Sequence, residues 1–238
     1  MTIKCKECDS AGCFIKQYCS PGWIKKIETK KYQVHRKAEN YIFEEDDQVG
    51  GIYFIHHGNV KVTIKGVSNR EHIVRLAVEG DLLGYRGDGR DRYPVSAITL
   101  SDTIVCFFDN DAFYDVCMNN PKFTLEMTTF YSRELRKAEF RIKQLTQMTT
   151  RERVANALLY LKDTIGINKK SKSLNIYLTR QEIADLVGSS IAELIRELGK
   201  FENEKLIVKQ ERNIGLINIP GLKNVAGDYN IKQYVGQR

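Results

Sequence analysis

The sequence lacks the features that mark several common classes of protein. Although 42% of its 238 residues are hydrophobic, no apolar run reaches the roughly 18 residues that a membrane-spanning helix needs. The opening residues, MTIKCKECDSAGC, lack the apolar stretch of a secretory signal, so we expect a cytoplasmic protein with no membrane partner. The sequence also contains no phosphate-binding glycine loop, His-Glu-x-x-His motif or nucleophile elbow. We therefore do not expect an enzyme.

Positive charge is concentrated in the last third of the chain. The formal net charge is +7. From residue 150 onward there are 15 Lys and Arg against 10 Asp and Glu, whereas residues 1–149 hold 22 against 20. A basic C-terminal region favours a polyanionic partner such as nucleic acid.

The most informative stretch is residues 178–207, LTRQEIADLVGSSIAELIRELGKFENEKLI. Thr179 and Glu182 have the spacing of a capping box, which predicts a helix start. Gly188 allows a sharp turn, after which Ser189 or Ser190 can cap a second helix. Two short helices joined in this way are typical of a DNA-reading helix-turn-helix. A helical hairpin without a ligand is the alternative. The second helix would bury a stripe at i, i+4 and i+7, namely Leu194, Leu198 and Phe201.

The second helix also carries a polar, partly basic face. Its start places side chains within reach of base edges or phosphates, and Lys200 is predicted to contact phosphate. Arg196 can bind a guanine through O6 and N7. The predicted DNA-contacting residues are Thr179, Arg180, Ser189, Ser190, Ala192, Glu193, Arg196 and Lys200.

Four segments are predicted along the chain, giving an α+β fold. Residues 1–22 are Cys-rich and close at Pro21-Gly22, and residues 23–120 have the strand and turn pattern of an antiparallel β jelly roll. Residues 121–148 form a long helix, and residues 149–238 hold an amphipathic helix, the helix-turn-helix and a wing hairpin, IVKQERNIGLINI, with Asn213 and Gly215 at its turn.

The long helix carries apolar residues at 4-3-4-3 spacing, which indicates a coiled-coil seam and hence a homodimer. A helix packed on its own domain is the alternative. The seam residues are Tyr131, Leu135, Ala138, Ile142 and Leu145.

Cysteines cluster at the N-terminus, where four of the six occur within 19 residues: Cys5, Cys8, Cys13 and Cys19. In a reducing compartment such spacing indicates a metal or redox site rather than a disulfide framework. Cys117 is predicted to be a small buried hydrophobic residue. His56 and His57, beside Gly58, are interpreted as exposed turn histidines.

The order of barrel, long helix and winged helix-turn-helix resembles the CRP/FNR family of bacterial transcription regulators. The segment GDLLGYRGDGRDRYPVSAITLSDTIVC, residues 80–106, looks like the oxygen-sensing FNR branch. In cyclic-AMP receptors this loop carries a Glu for the ribose and an Arg for the cyclic phosphate. Here Tyr85 follows Gly84 and no Arg-Ser pair follows, so we expect no binding of cyclic AMP.

The resemblance implies a four-iron–four-sulfur cluster held by Cys5, Cys8, Cys13 and Cys106, with Cys19 as the alternative fourth ligand. Four-thiolate zinc coordination satisfies the same spacing, and a regulator without a cluster that responds to another effector stays open. The second Cys gap is one residue shorter than in the best-known members of the branch.

The resemblance further implies a homodimer on a palindromic DNA operator, with dimer geometry controlled by a cluster that oxygen or nitric oxide dismantles, and an RNA polymerase contact if the protein is an activator. The family's base-reading Arg matches Arg196, whereas its Glu position is Ala192 here, so the family's usual half-site is not expected.

Overall fold

A computed structural model of the chain describes residues 3–10, 12–66, 70–87, 91–210 and 213–227. The chain divides into two compact units, residues 1–129 and 130–238. The boundary falls inside the long helix that the sequence predicted over residues 121–148. Over the described ranges, no helix combines the length and the hydropathy needed to cross a membrane.

The first unit begins with two short helices and continues as antiparallel strands. Pro21 and Gly22, interpreted as the end of the Cys-rich segment, lie instead in the first turn of a helix, a position that suits proline because its missing N–H has no helical partner there. The elements are α1 (Phe14–Tyr18), α2 (Pro21–Glu28), β1 (Tyr32–Arg36), β2 (Tyr41–Phe43), β3 (Gly51–His57), β4 (Val60–Lys65), β5 (Glu71–Ala77), β6 (Leu82–Leu83), β7 (Ser96–Thr99), β8 (Thr103–Asp109), α3 (Asn110–Asn119) and the start of α4 (Pro121–Gln147).

The strands form two four-stranded sheets with the orders β1-β8-β3-β6 and β2-β7-β4-β5. This arrangement confirms the predicted antiparallel β domain. The buried faces of both sheets contribute to one apolar cluster, which includes Ile55, Val62, Ala97 and Val105. In the first sheet Cys106 of β8 lies opposite Gln33 of β1 and Phe54 of β3. The pairing thus brings a residue from late in the domain beside the strand that follows the Cys-rich segment.

The second unit contains the rest of α4 and the predicted helix-turn-helix with its wing. Asn213 and Gly215, expected at the wing turn, lie in the second wing strand, while the intervening positions 211 and 212 lie outside the described residues. A further helix that the sequence did not predict, α8 (Ile219–Ala226), packs on α5 (Thr150–Ile165). The elements are α5 (Thr150–Ile165), α6 (Arg180–Val187), α7 (Ile191–Asn203), β9 (Ile207–Gln210), β10 (Asn213–Leu216) and α8 (Ile219–Ala226).

Candidate functional site

The Cys-rich segment is tied to the first unit by polar contacts with its backbone. Glu28 of α2 accepts a hydrogen bond from the Cys5 N–H, and the Lys31 ammonium donates to the Ile3 carbonyl. Lys16 donates to the Cys8 carbonyl at 2.6 Å. These contacts fix the backbone around the first two cysteines, so that their thiols are held in place.

Close backbone packing positions the third cysteine. Gly80, in the β5–β6 turn, has a φ of +85°, and a Cβ there would lie 2.9 Å from the Gly12 backbone. Glycine at position 80 therefore lets the loop that carries Cys13 approach the turn closely.

Four thiols converge at the sheet: Cys5, Cys8, Cys13 and Cys106. Cys106 and Cys8 are close enough to Cys13 to raise its pKa, and Cys5 and Cys8 raise the pKa of Cys106 in the same way, because two nearby thiolates repel each other. Burial raises the pKa of Cys5, Cys13 and Cys106 above the usual value for a thiol. A bound cation would favour their thiolate forms.

Polar hydrogens from the protein point at two of these sulfurs. The Lys31 ammonium lies 3.5 Å from the Cys5 Sγ, and the Gln33 amide nitrogen lies 3.6 Å from the Cys106 Sγ. Both contacts lower the pKa of the thiol that they touch, against the larger effect of burial. Donors of this kind stabilise thiolate ligands and tune metal centres.

Cys19 lies to one side of this group. Burial raises its pKa to about 12, and its electrostatic neighbours are Cys13 and Cys117. Cys117 itself is half-buried, and burial raises its pKa to about 11. The geometry thus brings Cys106, rather than Cys19, together with the first two cysteines.

The interpretation of His56 as an exposed turn residue is wrong, whereas His57 is exposed. His56 is 9% exposed, and its Nδ1 lies 3.4 Å from the Cys8 Sγ. The β3–β8 register shifts between Ile55 and His57, as at a β-bulge. A β-bulge changes the direction of a side chain relative to the alternation along a strand. No local sequence pattern predicts this bulge.

The spacing of the thiols bears on which metal they fit. A single tetrahedral zinc with Zn–S bonds of about 2.3 Å holds its sulfurs about 3.8 Å apart. Within the described residues, no three of the cysteines bring their sulfurs within 4.8 Å of one another. As placed, the four thiols are thus not spaced for a single tetrahedral zinc ion.

An aromatic contact connects the Cys-rich segment to the long helix. Phe14 follows Cys13 directly, and its ring meets the Phe123 ring of α4 edge-on at 5.3 Å. Phe123 is fully buried and also meets Phe113 of α3. A displacement of Cys13 would therefore also displace Phe123 in the first turn of α4, because packed aromatic rings have little free space.

The β domain contains a small cavity lined in part by Phe43, Arg75, Leu83, Tyr85 and Tyr93, with a volume of about 10 Å³. This is about the room that one water requires. The expectation that cyclic AMP does not bind stays a prediction.

The helix-turn-helix in the second unit follows the predicted boundaries. Thr179 and Glu182 form the capping box of α6, Gly188 ends it in the left-handed region with a φ of 71°, and Ser190 and Glu193 form the capping box of α7. Arg180 is the first residue of α6. The stripe of α7 is buried as predicted, at Leu194, Leu198 and Phe201.

Two arginines hold the turn, and the sequence analysis did not identify either. Arg153 of α5 donates to the carbonyls of Val187 and Gly188 at 3.2 and 3.3 Å, and Arg141 of α4 donates to the Leu186 carbonyl. Cations at a helix C-terminus pair with carbonyls that lack helical partners. The end of α6 is thereby fastened to both preceding helices.

The exposed face of α7 combines basic and apolar side chains. The Arg196 and Lys200 side chains are 63% and 51% exposed, although Lys200 pairs with Glu197 at 2.8 Å. Ile191 and Ile195 are exposed large hydrophobic residues, and Ala192 is exposed between them. Ser189 is half-buried before the cap.

The Glu193 carboxylate is already engaged in the structure. Hydrogen bonds from the Ser190 side chain and backbone lower its pKa. Its role in the capping box leaves it less free to contact DNA than the sequence analysis expected.

Comparison with known proteins agrees with this architecture. A model of the cyclic nucleotide-binding domain matches residues 33–120, and a model of the Crp-like helix-turn-helix domain matches residues 152–225. The transcriptional activatory protein AadR of Rhodopseudomonas palustris is 28% identical over 85% of this chain and 84% of that protein. The fumarate and nitrate reduction regulatory protein of Vibrio cholerae is 23% identical over 94% of this chain and 91% of that protein.

Among solved structures, FixK2 from Bradyrhizobium japonicum superposes with a TM-score of 0.73 at 20% identity, covering 83% of this chain and 98% of that one. At this identity the structural likeness concerns the fold.

Proposed function

We propose, from the premise that this chain belongs to the CRP/FNR family of DNA-binding transcription regulators, that a four-iron–four-sulfur cluster controls its binding to DNA. The convergence of Cys5, Cys8, Cys13 and Cys106 carries the proposal. Four thiolates are the usual ligand set of such a cluster. When bound, the cluster would supply a metal centre that oxygen or nitric oxide can dismantle.

The protein side chains around the thiols suit a negatively charged thiolate assembly. Lys31 is largely buried and directs its ammonium toward Cys5, while Gln33 directs an amide toward Cys106. Burying several thiolates without such partners would be costly. The two donors therefore offset negative charge on two of the four proposed ligands, Cys5 and Cys106.

Phe14 is the proposed route from the cysteines to the dimer helix. It lies next to Cys13 in sequence and against Phe123 of α4 in space. Ligation would hold Cys13 and Phe14 in one position, and loss of ligation would release both. Because α4 carries the proposed dimer seam, a shift at Phe123 would favour one arrangement of the dimer over another. Allosteric control requires two such states whose equilibrium a ligand changes.

The exposed face of α4 supports dimerisation through the predicted seam. All five seam residues are exposed in the single chain: Tyr131, Leu135, Ala138, Ile142 and Leu145. The buried side chains of the same stretch include Phe140 and Gln144, which lie on another face of the helix. Exposed apolar residues at heptad spacing are best explained by a second copy of the chain.

The exposed face of α7 supports base reading by two kinds of contact. Arg196 can bind a guanine through two hydrogen bonds, and exposed Ile195 can pack against the methyl group of a thymine. Ala192 removes the acceptor that a Glu would offer to a cytosine amino group. The half-site should thus differ from the family's usual one at the position that Ala192 faces.

The ligand set is tested by purifying the full-length protein without oxygen and measuring its absorption, iron and sulfide. We expect a brown protein with about four irons per chain. Changing Cys5, Cys8, Cys13 or Cys106 to Ser should bleach it, because serine is a far less acidic ligand than a thiol. Cys19→Ser is the matched control and should leave the colour. Bleaching by Cys19→Ser with retention of colour in Cys106→Ser would reject this ligand set.

A further inference from the structure

Three side chains of different chemistry meet beside the thiol group: Cys8, Asp9 and His56. One ligand atom from each lies within 4.8 Å of the others. We propose that these three residues bind a single zinc ion when the chain carries no cluster, so that zinc and cluster compete for Cys8. The competition rests on the proposed cluster, whereas the zinc site does not.

The distance between sulfur and nitrogen fits zinc coordination. Zinc binds thiolate sulfur at about 2.3 Å and imidazole nitrogen at about 2.0–2.1 Å. In a tetrahedron those bonds place the two ligand atoms about 3.5 Å apart. The Cys8 Sγ and the His56 Nδ1 are 3.4 Å apart, so both atoms could bind one zinc ion with little movement of either side chain.

Both of these ligands are held before any ion arrives. His56 is buried and sits where the β3 register shifts, which directs its ring toward the Cys-rich segment. The Cys8 backbone is fixed by the Lys16 ammonium. A preformed site loses less conformational entropy on binding than a flexible one.

The mixture of donors selects the class of metal. One sulfur, one nitrogen and one carboxylate oxygen suit zinc, and three protein ligands leave a fourth position for water. Asp9 is exposed, so that fourth position faces solvent and an ion can enter. Binding would release the Cys8 thiol proton, since the thiolate is the ligand.

The test uses full-length, cluster-free, reduced protein titrated with Co²⁺ as a coloured substitute for Zn²⁺. We expect one Co²⁺ per chain with tetrahedral and sulfur-to-cobalt absorption bands, and displacement of the cobalt by Zn²⁺. Loss of a group that only hydrogen-bonds to a metal ligand costs about 10- to 100-fold in metal affinity. His56→Ala and Cys8→Ser remove ligands themselves, so each should weaken binding by at least about 100-fold. Asp9→Asn should weaken binding by at least about 10-fold.

The neighbouring His57→Ala, exposed and on the same strand, is the matched control and should bind cobalt as the wild type does. Cys106→Ser should also bind normally, because Cys106 is outside the three-residue site. Far-ultraviolet circular dichroism checks folding, and His56→Gln repeats the test with a side chain nearer in size. Undiminished binding by both His56 variants, loss of binding in Cys106→Ser, or no binding by the wild type would overturn the proposal.

A second arm tests competition. Zinc-loaded wild type should resist anaerobic assembly of a cluster from iron and sulfide, and added zinc should not hinder assembly in His56→Ala. Equal assembly with and without zinc in the wild type would refute the competition. If no variant assembles a cluster at all, the proposed function fails, while the cobalt titration still decides the zinc site.

Discussion

Replacing Ile142 of α4 by glutamate should convert the protein from dimer to monomer. Ile142 is 63% exposed in the single chain, and the proposed seam would cover that surface. Fully burying an isoleucine contributes about 1.5–3 kcal/mol. Covering the exposed part should therefore contribute about 1–2 kcal/mol per copy, or about 2–4 kcal/mol per dimer.

That loss corresponds to a dimer dissociation constant about 30- to 700-fold higher. Two glutamates facing each other across an apolar two-fold seam add a further penalty, because like charges would be desolvated together. The expected outcome is monomer at micromolar concentration in sedimentation equilibrium. DNA affinity should fall with it, since one reading helix alone contacts only one half-site.

Gln147→Glu is the matched control, because it adds the same charge on exposed α4 surface outside the 4-3-4-3 seam. It should leave the dimer intact. A stable Ile142→Glu dimer with unchanged affinity would refute the seam. Monomer formation by both variants would mean that charge on α4, rather than this face, governs assembly.

Three further predictions concern reading and coupling. Arg196→Ala should weaken binding to a site selected from random DNA by about 1–3 kcal/mol per half-site, whereas Lys200→Ala should weaken all sequences alike and lower the salt slope by about one per contact. The DNA affinities of both variants are measured by fluorescence anisotropy at several salt concentrations. If Arg196→Ala lost as much affinity for random DNA as for the selected site, Arg196 would not be a base-reading residue. Replacing a contacted thymine by deoxyuridine removes the methyl group that Ile195 is proposed to touch. The wild type should lose about fourfold in DNA affinity per methyl, taking about 0.8 kcal/mol for one buried carbon, and Ile195→Ala should lose less than half of that free energy. Equal losses in the two proteins would place Ile195 away from thymine. Phe14→Ala should retain the cluster absorption but reduce the effect of air on DNA affinity at least fivefold, as expected when a coupling of about 1 kcal/mol is lost. Phe14→Leu should keep most of the effect of air. An undiminished effect of air in Phe14→Ala would exclude coupling through Phe14.

The parts of the fold that local signals encode were predictable from sequence. The helix-turn-helix follows from two capping boxes and one glycine, each readable within a few residues. The long helix follows from a proline at its start and heptad spacing. In both cases the residues that decide the structure are neighbours in the chain.

The parts that depend on distant contacts were not predictable in the same way. Cys106 meets the N-terminal cysteines through strand pairing, and the family resemblance rather than any local pattern indicated it. His56 was misinterpreted because its direction depends on an irregularity in the β3–β8 register. The sequence gives no reason to distinguish Arg153 from an ordinary exposed helix residue. Its role depends on the carbonyls of Val187 and Gly188, which only folding brings beside it.

The most direct test of the account follows cluster and DNA binding in one anaerobic sample as air is admitted. The cluster absorption and the affinity for a selected operator should fall together, and Cys106→Ser should start at the low affinity with no absorption. Cys19→Ser should behave as the wild type does. A colourless anaerobic protein that binds the operator equally well before and after air would contradict the claim that a cluster governs this regulator.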